Sequence, residues 1–141
     1  MIDSALQTES VLLAERNDFV VGGLRGLLSG LFQRVFVVSD ARSLQEAAAR
    51  LRPDVIVMDL ATVDGDAAGL IRQIRADARP AVIVLTMHDA PNVAKGLLDA
   101  GADGVVLKQR LAIELLTAID TVLEHGRYVS SGIALKSLGS A

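Results

Sequence analysis

The sequence contains no cysteine, and it contains three phenylalanines, one tyrosine and no tryptophan among its 141 residues. The absence of cysteine excludes a disulfide framework, a thiolate metal site and a cysteine nucleophile. Because aromatic residues make up only 3% of the chain, the core has to be built from alanine, valine, leucine and isoleucine.

An excess of basic residues is also missing, since 14 Lys and Arg face 17 Asp and Glu, for a net charge of -3. Without a basic surface, this segment alone is a poor nucleic-acid binder. No apolar run reaches the roughly 18 to 20 residues of a membrane span. The polar start, which carries Asp3 and Glu9, does not resemble a signal peptide. We therefore expect a cytoplasmic protein that does not contact the membrane.

What is present is an alternation of strand and helix patterns typical of one globular domain, with 51% apolar and 22% charged residues. Short β-branched runs predict strands at 11–14, 35–38, 55–59, 81–86 and 104–108. Amphipathic segments between them predict helices. Right-handed crossovers then favour an α/β fold with a doubly wound parallel sheet and helices on both faces.

Polar residues mark where several helices begin. Asn17 or Asp18 is expected to cap the first helix, and Asp66 the third. Ser43 and Glu46 have the spacing of a capping box, which predicts the start of the second helix. After residue 126 the pattern fades into small and polar residues, so irregular chain is expected there.

Polar side chains follow four of the strands at their carboxyl ends. Glu15 and Arg16 follow the first strand, Asp59 the third, Thr86 the fourth and Lys108 the fifth. Parallel strands place these ends along one edge of the sheet, where ligands bind. A carboxylate can attack phosphorus to give an acyl phosphate, while a hydroxyl and an ammonium hold the other phosphoryl oxygens. The set therefore suits phosphoryl chemistry centred on Asp59.

Several motifs, in order, resemble the receiver domain of a two-component response regulator over about residues 10–126. The resemblance is closest to the subfamily with a LuxR-type helix-turn-helix. The motifs are the segments 11–13, 23–28, 53–60 (PDVIVMDL), 84–89, 101–104 with 107–108, and 114–119.

This resemblance implies a flavodoxin-like (βα)5 fold with a five-stranded parallel sheet in the order 2-1-3-4-5. It implies that Asp59 is the phosphoacceptor, Thr86 the switch hydroxyl and Lys108 the lysine that contacts the phosphoryl group. The protein would be a switch rather than an enzyme, with a histidine kinase as phosphodonor and a homodimer as its assembly. It would reach DNA only through an output domain not in this chain. We expect an N-terminal extension at 1–10, the receiver at 11–126, and a tail or linker at 127–141.

The sequence also departs from the family pattern. The family has two consecutive acids that build a Mg²⁺ site, whereas this chain has Glu15 and Arg16. A Mg²⁺ site of Glu15 and Asp59 is therefore expected to be weakened. Val105 stands where the family usually has a switch aromatic.

Two interpretations follow from these departures. In the first, Asp59 still accepts phosphate, with weaker metal binding. In the second, Arg16 pairs with Asp59 in place of the metal ion, and the domain is a phosphorylation-independent pseudo-receiver for dimerisation or protein interaction. A phosphatase of related topology is less favoured, because only Asp59 and Glu15 are well placed as acids.

Overall fold

One parallel sheet of six strands organises the structure, a computed structural model that describes residues 8–77 and 80–133. The strands lie in the order β2-β1-β3-β4-β5-β6 and every neighbouring pair is parallel. Their bounds are β1 Thr8–Ala14, β2 Phe32–Val38, β3 Val55–Asp59, β4 Ala81–Thr86, β5 Gly104–Leu107 and β6 Tyr128–Val129. The predicted doubly wound order 2-1-3-4-5 is confirmed, and the prediction of five strands is wrong by one.

Five complete helices within the described ranges cover the sheet on both faces. They are α1 Asp18–Ser29, α2 Ala41–Leu51, α3 Ala67–Asp77, α4 Pro91–Ala100 and α5 Leu111–Leu123. Short 3₁₀ turns at Leu60–Thr62 and Lys108–Arg110 follow β3 and β5. Helices α2, α3 and α4 pack on one apolar cluster, and α1 and α5 pack on the other.

Strand β3 lies inside the sheet between β1 and β4, and all five of its residues are buried. Ile56 and Met58 belong to the cluster beneath α2, α3 and α4, while Val55 and Val57 belong to the cluster beneath α1 and α5. A strand that is covered on both faces has no polar face, which explains its uninterrupted apolar run. It ends on Asp59, so the first polar side chain of the strand stands at the carboxyl edge of the sheet.

Two of the predicted helix caps are confirmed, and one is wrong. The Asn17 side chain accepts hydrogen bonds from the amides of residues 19 and 20, and Asp66 accepts one from the amide of Gly69 at 2.8 Å. Helix α2, however, begins at Ala41 and is capped by Asp40, whose Oδ1 accepts a bond from the amide of Ser43 at 2.7 Å. Asp40 has extended backbone, so it forms the cap before Ser43 is reached.

The sixth strand lies where the sequence predicts irregular chain. Residues Tyr128–Val129 pair with β5, with Tyr128 opposite Gly104. Beyond them Ser130 is fully buried, and Ile133 is buried within the cluster beneath α2, α3 and α4. Two residues are too few to show strand periodicity, so the pattern carries no signal for β6. The predicted extension at 1–10 overlaps β1, and residues 1–7 and 134–141 lie outside the described residues.

Across the described ranges, none of the helices combines the length and the apolar character that crossing a bilayer requires.

Candidate functional site

The site lies at the carboxyl edge of the sheet, around the carboxylate of Asp59. Strands β1, β3 and β4 and the turn after β5 present Glu15, Asp59, Thr86 and Lys108 at this edge. Asp59 is 5% exposed. Its Oδ1 accepts a hydrogen bond from the amide of Ala61 at 3.2 Å, which orients the carboxylate at the start of the following 3₁₀ turn.

Lys108 bridges the two acids of the pocket. Its Nζ donates a hydrogen bond to Asp59 Oδ2 at 2.8 Å and lies 3.2 Å from Glu15 Oε1. Burial disfavours the ammonium, but the bond to Asp59 and the attraction of Glu15 outweigh it and raise the pKa of Lys108 above its ordinary value. The lysine is therefore charged at neutral pH and neutralises one of the two carboxylates.

Glu15 is 2% exposed and keeps one of its oxygens without a hydrogen bond. Its Oε2 accepts a bond from the amide of Asn17 at 3.2 Å. Its Oε1 has the close ion pair with Lys108 but no partner in hydrogen-bond geometry. A buried carboxylate oxygen in this state is held by charge attraction alone, and it can accept a further donor.

Thr86 and Lys108 line an open cavity of about 200 Å³ together with Asp59. The remaining lining residues are Leu60, Ala61, Met87 and His88. The Thr86 hydroxyl is buried and accepts a bond from the amide of His88 at 3.0 Å. Since a water occupies about 30 Å³ in the liquid, the cavity has room for a tetrahedral anion.

Arg16 does not pair with Asp59, contrary to the second interpretation of the sequence. Its Nε donates to the carbonyl of Ser39 at 3.1 Å, and its NH2 nitrogen donates to the carbonyl of Thr62 at 3.0 Å. The same nitrogen lies 3.4 Å from Asp64, whose side chain is 87% exposed. Arg16 thus links the loops after β2 and β3 across the rim, and Lys108 is the cation that contacts Asp59.

The residues at this edge do not fit a resident Mg²⁺ ion. Magnesium is usually held by one or two carboxylates, with waters completing an octahedral shell, and the described residues contain no group of three or more His, Cys, Asp or Glu side chains placed to hold a metal ion. The two acids present, Glu15 and Asp59, both contact Lys108. Lys108 neutralises one of these two acids, and Arg16 is paired with Asp64 at the rim, so only one uncompensated negative charge attracts the ion.

Val105 of β5 and Thr62 of the turn after β3 are buried near this edge of the sheet and do not line the cavity. Val105 is fully buried in the cluster beneath α2, α3 and α4, so it offers no aromatic ring that could rotate. Thr62 is a residue that the sequence reasoning missed. It is buried, and its hydroxyl donates to the carbonyl of Ala14 at 3.3 Å, which joins the loop after β3 to β1.

A second buried polar cluster, centred on Glu114 of α5, joins β5 to the C-terminal segment and was also missed. The Ser130 hydroxyl accepts a bond from the amide of Leu107 at 3.1 Å and donates to Glu114. Glu114 also accepts bonds from Ser131 at 3.1 Å and from Arg110 at 2.6 Å. Burial opposes its charge, but these bonds prevail and lower the pKa of Glu114 from 4.5 to about 2.

The fold is a doubly wound α/β sheet with an acid and an ammonium at its carboxyl edge, which is the edge where such sheets bind ligands. A sequence profile described as the response regulator receiver domain matches residues 11–120. The chain belongs to the response regulator receiver domain family.

Curated relatives are transcriptional regulators. The chain is 33% identical over 129 residues to the transcriptional regulatory protein MctR of Rhizobium johnstonii, covering 87% of this chain and 59% of MctR. It is also 33% identical over 130 residues to UhpA of Salmonella typhimurium, covering 90% of this chain and 65% of UhpA. The chain therefore spans less than two thirds of the length of either relative.

Solved structures with the same fold are LuxR-type response regulators. A two-component response regulator of the LuxR family from Aurantimonas sp. SI85-9A1 superposes with a TM-score of 0.83 at 29% identity, covering 92% of this chain and 94% of that one. The isolated receiver domain of RcsB from Salmonella enterica serovar Typhimurium, with the phosphomimetic BeF₃⁻, gives 0.78 at 25% identity, covering 91% and 97%. The predicted subfamily is confirmed.

Proposed function

We propose that this receiver domain is a phosphorylation-controlled switch in which Asp59 accepts a phosphoryl group from a histidine kinase. The observation that carries the proposal is the position of Asp59, which is buried, bonded by Lys108 at 2.8 Å and open to a cavity that Thr86 also lines. The cavity lining contains no Ser or Cys, and the Asp59 carboxylate is the lining group whose attack on phosphorus gives an acyl phosphate.

In the proposed step, an Asp59 oxygen attacks the phosphorus of a phosphohistidine. The new P–O bond forms as the P–N bond breaks, the imidazole nitrogen takes the electron pair, and water supplies its proton. Lys108 turns from the carboxylate to the phosphoryl oxygens, where charge spreads in the transition state. The Thr86 hydroxyl accepts from His88 and keeps its proton to donate to another of these oxygens.

The RcsB structures give a parallel for the output. Two RcsB dimers bound to DNA have been solved, and the curated relatives are longer transcriptional regulators. By this parallel, the phosphorylated domain forms a homodimer and controls DNA binding by an output domain. In this proposal the Asp59 pocket acts as a switch and does not turn over a substrate. The protein acts in the cytoplasm.

The test is incubation with a small phosphodonor such as acetyl phosphate, with and without Mg²⁺, followed by intact-mass measurement. Wild type and Asp64→Asn are expected to gain one hydroxylamine-sensitive phosphoryl group, and Asp59→Asn none. Asp64 is a matched control because it is an exposed carboxylate of the same loop. If wild type stays unlabelled under both conditions, or if Asp59→Asn is labelled equally, the phosphoacceptor role is refuted.

A phosphorylation-independent interaction module is the second candidate function. The supporting observation is that Lys108 already contacts both acids and Arg16 already bridges the surrounding loops, so the edge of the sheet is held together without phosphate. This function requires that wild type and Asp59→Ala have the same oligomeric state by light scattering, with or without phosphodonor. A phosphodonor-dependent change in wild type alone would eliminate it.

A further inference from the structure

The acidic pocket contains two side-chain cations at the edge of the sheet where a receiver domain would hold a divalent ion. Lys108 lies inside, 2.8 Å from Asp59 and 3.2 Å from Glu15. Arg16 lies at the rim, where its side chain is 49% exposed. We propose that Arg16 takes the place of Mg²⁺ in this domain, so that the pocket stays assembled without a metal ion and Arg16 excludes one.

Glu15 and Asp59 contribute two negative charges, Lys108 neutralises one of them, and the charge of Arg16 is paired with Asp64 at the rim. A divalent cation entering this pocket therefore meets only one uncompensated negative charge, and it competes with Lys108 for both carboxylates.

Oxygen atoms at the rim are also engaged by Arg16. Mg²⁺ takes oxygen donors. The carbonyls of Ser39 and Thr62 already accept hydrogen bonds from Arg16 at 3.1 and 3.0 Å. These two oxygens are therefore engaged before a metal ion reaches the rim.

A metal ion bound at such an edge would hold the surrounding loops together, and Arg16 connects these loops here. Arg16 follows β1 and bonds the loop after β2 through Ser39 and the loop after β3 through Thr62. A planar guanidinium with several donors is suited to hold two acceptors in fixed directions. Three neighbouring strand ends are thus connected by one side chain.

This inference rests on the proposed site but not on its phosphorylation, so it is tested on the unphosphorylated full chain without any phosphodonor. Mg²⁺ alone is titrated by isothermal calorimetry, and thermal unfolding is recorded with and without it. The variants are Arg16→Asp, which adds a third acid, and Arg16→Gln, which removes only the charge. The matched control is Arg34→Asp. Arg34 is an exposed arginine on β2, and one of its guanidinium nitrogens lies 3.5 Å from a carboxylate oxygen of Glu9.

In wild type and Arg34→Asp we expect weak Mg²⁺ binding without a thermal shift, and the affinity of each Arg16 variant is compared with this wild-type value. For Arg16→Asp, which changes the charge at the rim by two units, we expect on the order of tenfold tighter Mg²⁺ binding after screening by water and salt. For Arg16→Gln, half of that charge change gives about threefold. Only Arg16→Asp should also gain a Mg²⁺-dependent thermal shift.

The proposal is overturned if wild type binds Mg²⁺ as tightly as Arg16→Asp. It is also overturned if neither Arg16 variant binds more tightly than wild type, because the arginine would then not exclude the ion. If Arg16→Asp does not fold, Arg16→Gln alone decides. A chain that behaves as expected here but takes no phosphate on Asp59 would refute the proposed function and leave this inference intact.

Discussion

Replacing Glu114 by Gln tests the buried cluster that fastens the C-terminal segment to α5. The carboxylate is 6% exposed as a side chain and accepts bonds from Ser130, Ser131 and Arg110. Its pKa is lowered from 4.5 to about 2. Since one pKa unit corresponds to about 1.4 kcal/mol, the ionised carboxylate contributes on the order of 3 kcal/mol to folding at pH 7.

The dependence on pH follows from the direction of the shift. Because the folded pKa lies below the unfolded one, the contribution is fully present above pH 4.5 and is lost as the pH falls toward about 2. The linkage relation leaves about 2 kcal/mol at pH 3.5. The neutral amide of Glu114→Gln has no such dependence, so its deficit relative to wild type should shrink as the pH is lowered.

The assay is urea unfolding followed by circular dichroism at pH 7 and at several lower pH values. Glu124→Gln is the control, because it makes the same chemical change on an exposed residue just after α5. We expect it to change the free energy of unfolding by less than about 0.5 kcal/mol. A Glu114→Gln deficit below about 1 kcal/mol at pH 7, or one that does not vary with pH, would refute the assignment of a charged, hydrogen-bonded Glu114.

Two further predictions concern the segment after β6 and the start of α1. Ile133→Ala should lower the free energy of unfolding by about 2 to 5 kcal/mol, because this side chain is 2% exposed within the main core; an effect near zero in urea unfolding would mean that the segment after β6 is not packed. Asn17→Ala should cost about 1 kcal/mol through loss of the cap of α1, whereas Asn17→Asp should retain most of it. Equal losses in both variants would contradict the capping role.

The strands and the acids at their ends could be predicted from the sequence because both depend on local signals. The apolar run of β3 is bounded by Pro53 and Asp59, and its burial on both faces follows from its composition. The start of α2 was mislocated because two capping signals overlap. Asp40 and Ser43 both suit a cap, and only the extended backbone of Asp40 selects the first.

Strand β6 and the Glu114 cluster could not be predicted, because they depend on contacts between distant residues. Glu114 lies within an amphipathic helix, where an acid ordinarily faces solvent. It is buried because Ser130 and Ser131 return to it after a turn in which His125 has a φ of 67°. No periodicity marks this return.

The choice between Arg16 and Lys108 as the partner of Asp59 follows from strand geometry, because successive side chains of a strand point to opposite faces. Val57 faces the cluster beneath α1 and α5, and the same alternation places Asp59 on that side. Residues 13 and 106 belong to the same cluster. Glu15 and Lys108 each come two positions later, so the same alternation places them on the side of Asp59. Residues 12 and 14 belong to the cluster beneath α2, α3 and α4, so the alternation places Arg16 on that opposite face of the sheet. An arginine directly after Glu15 therefore had to reach the loops at the rim, and the ammonium of Lys108 was the cation that could enter between the two acids.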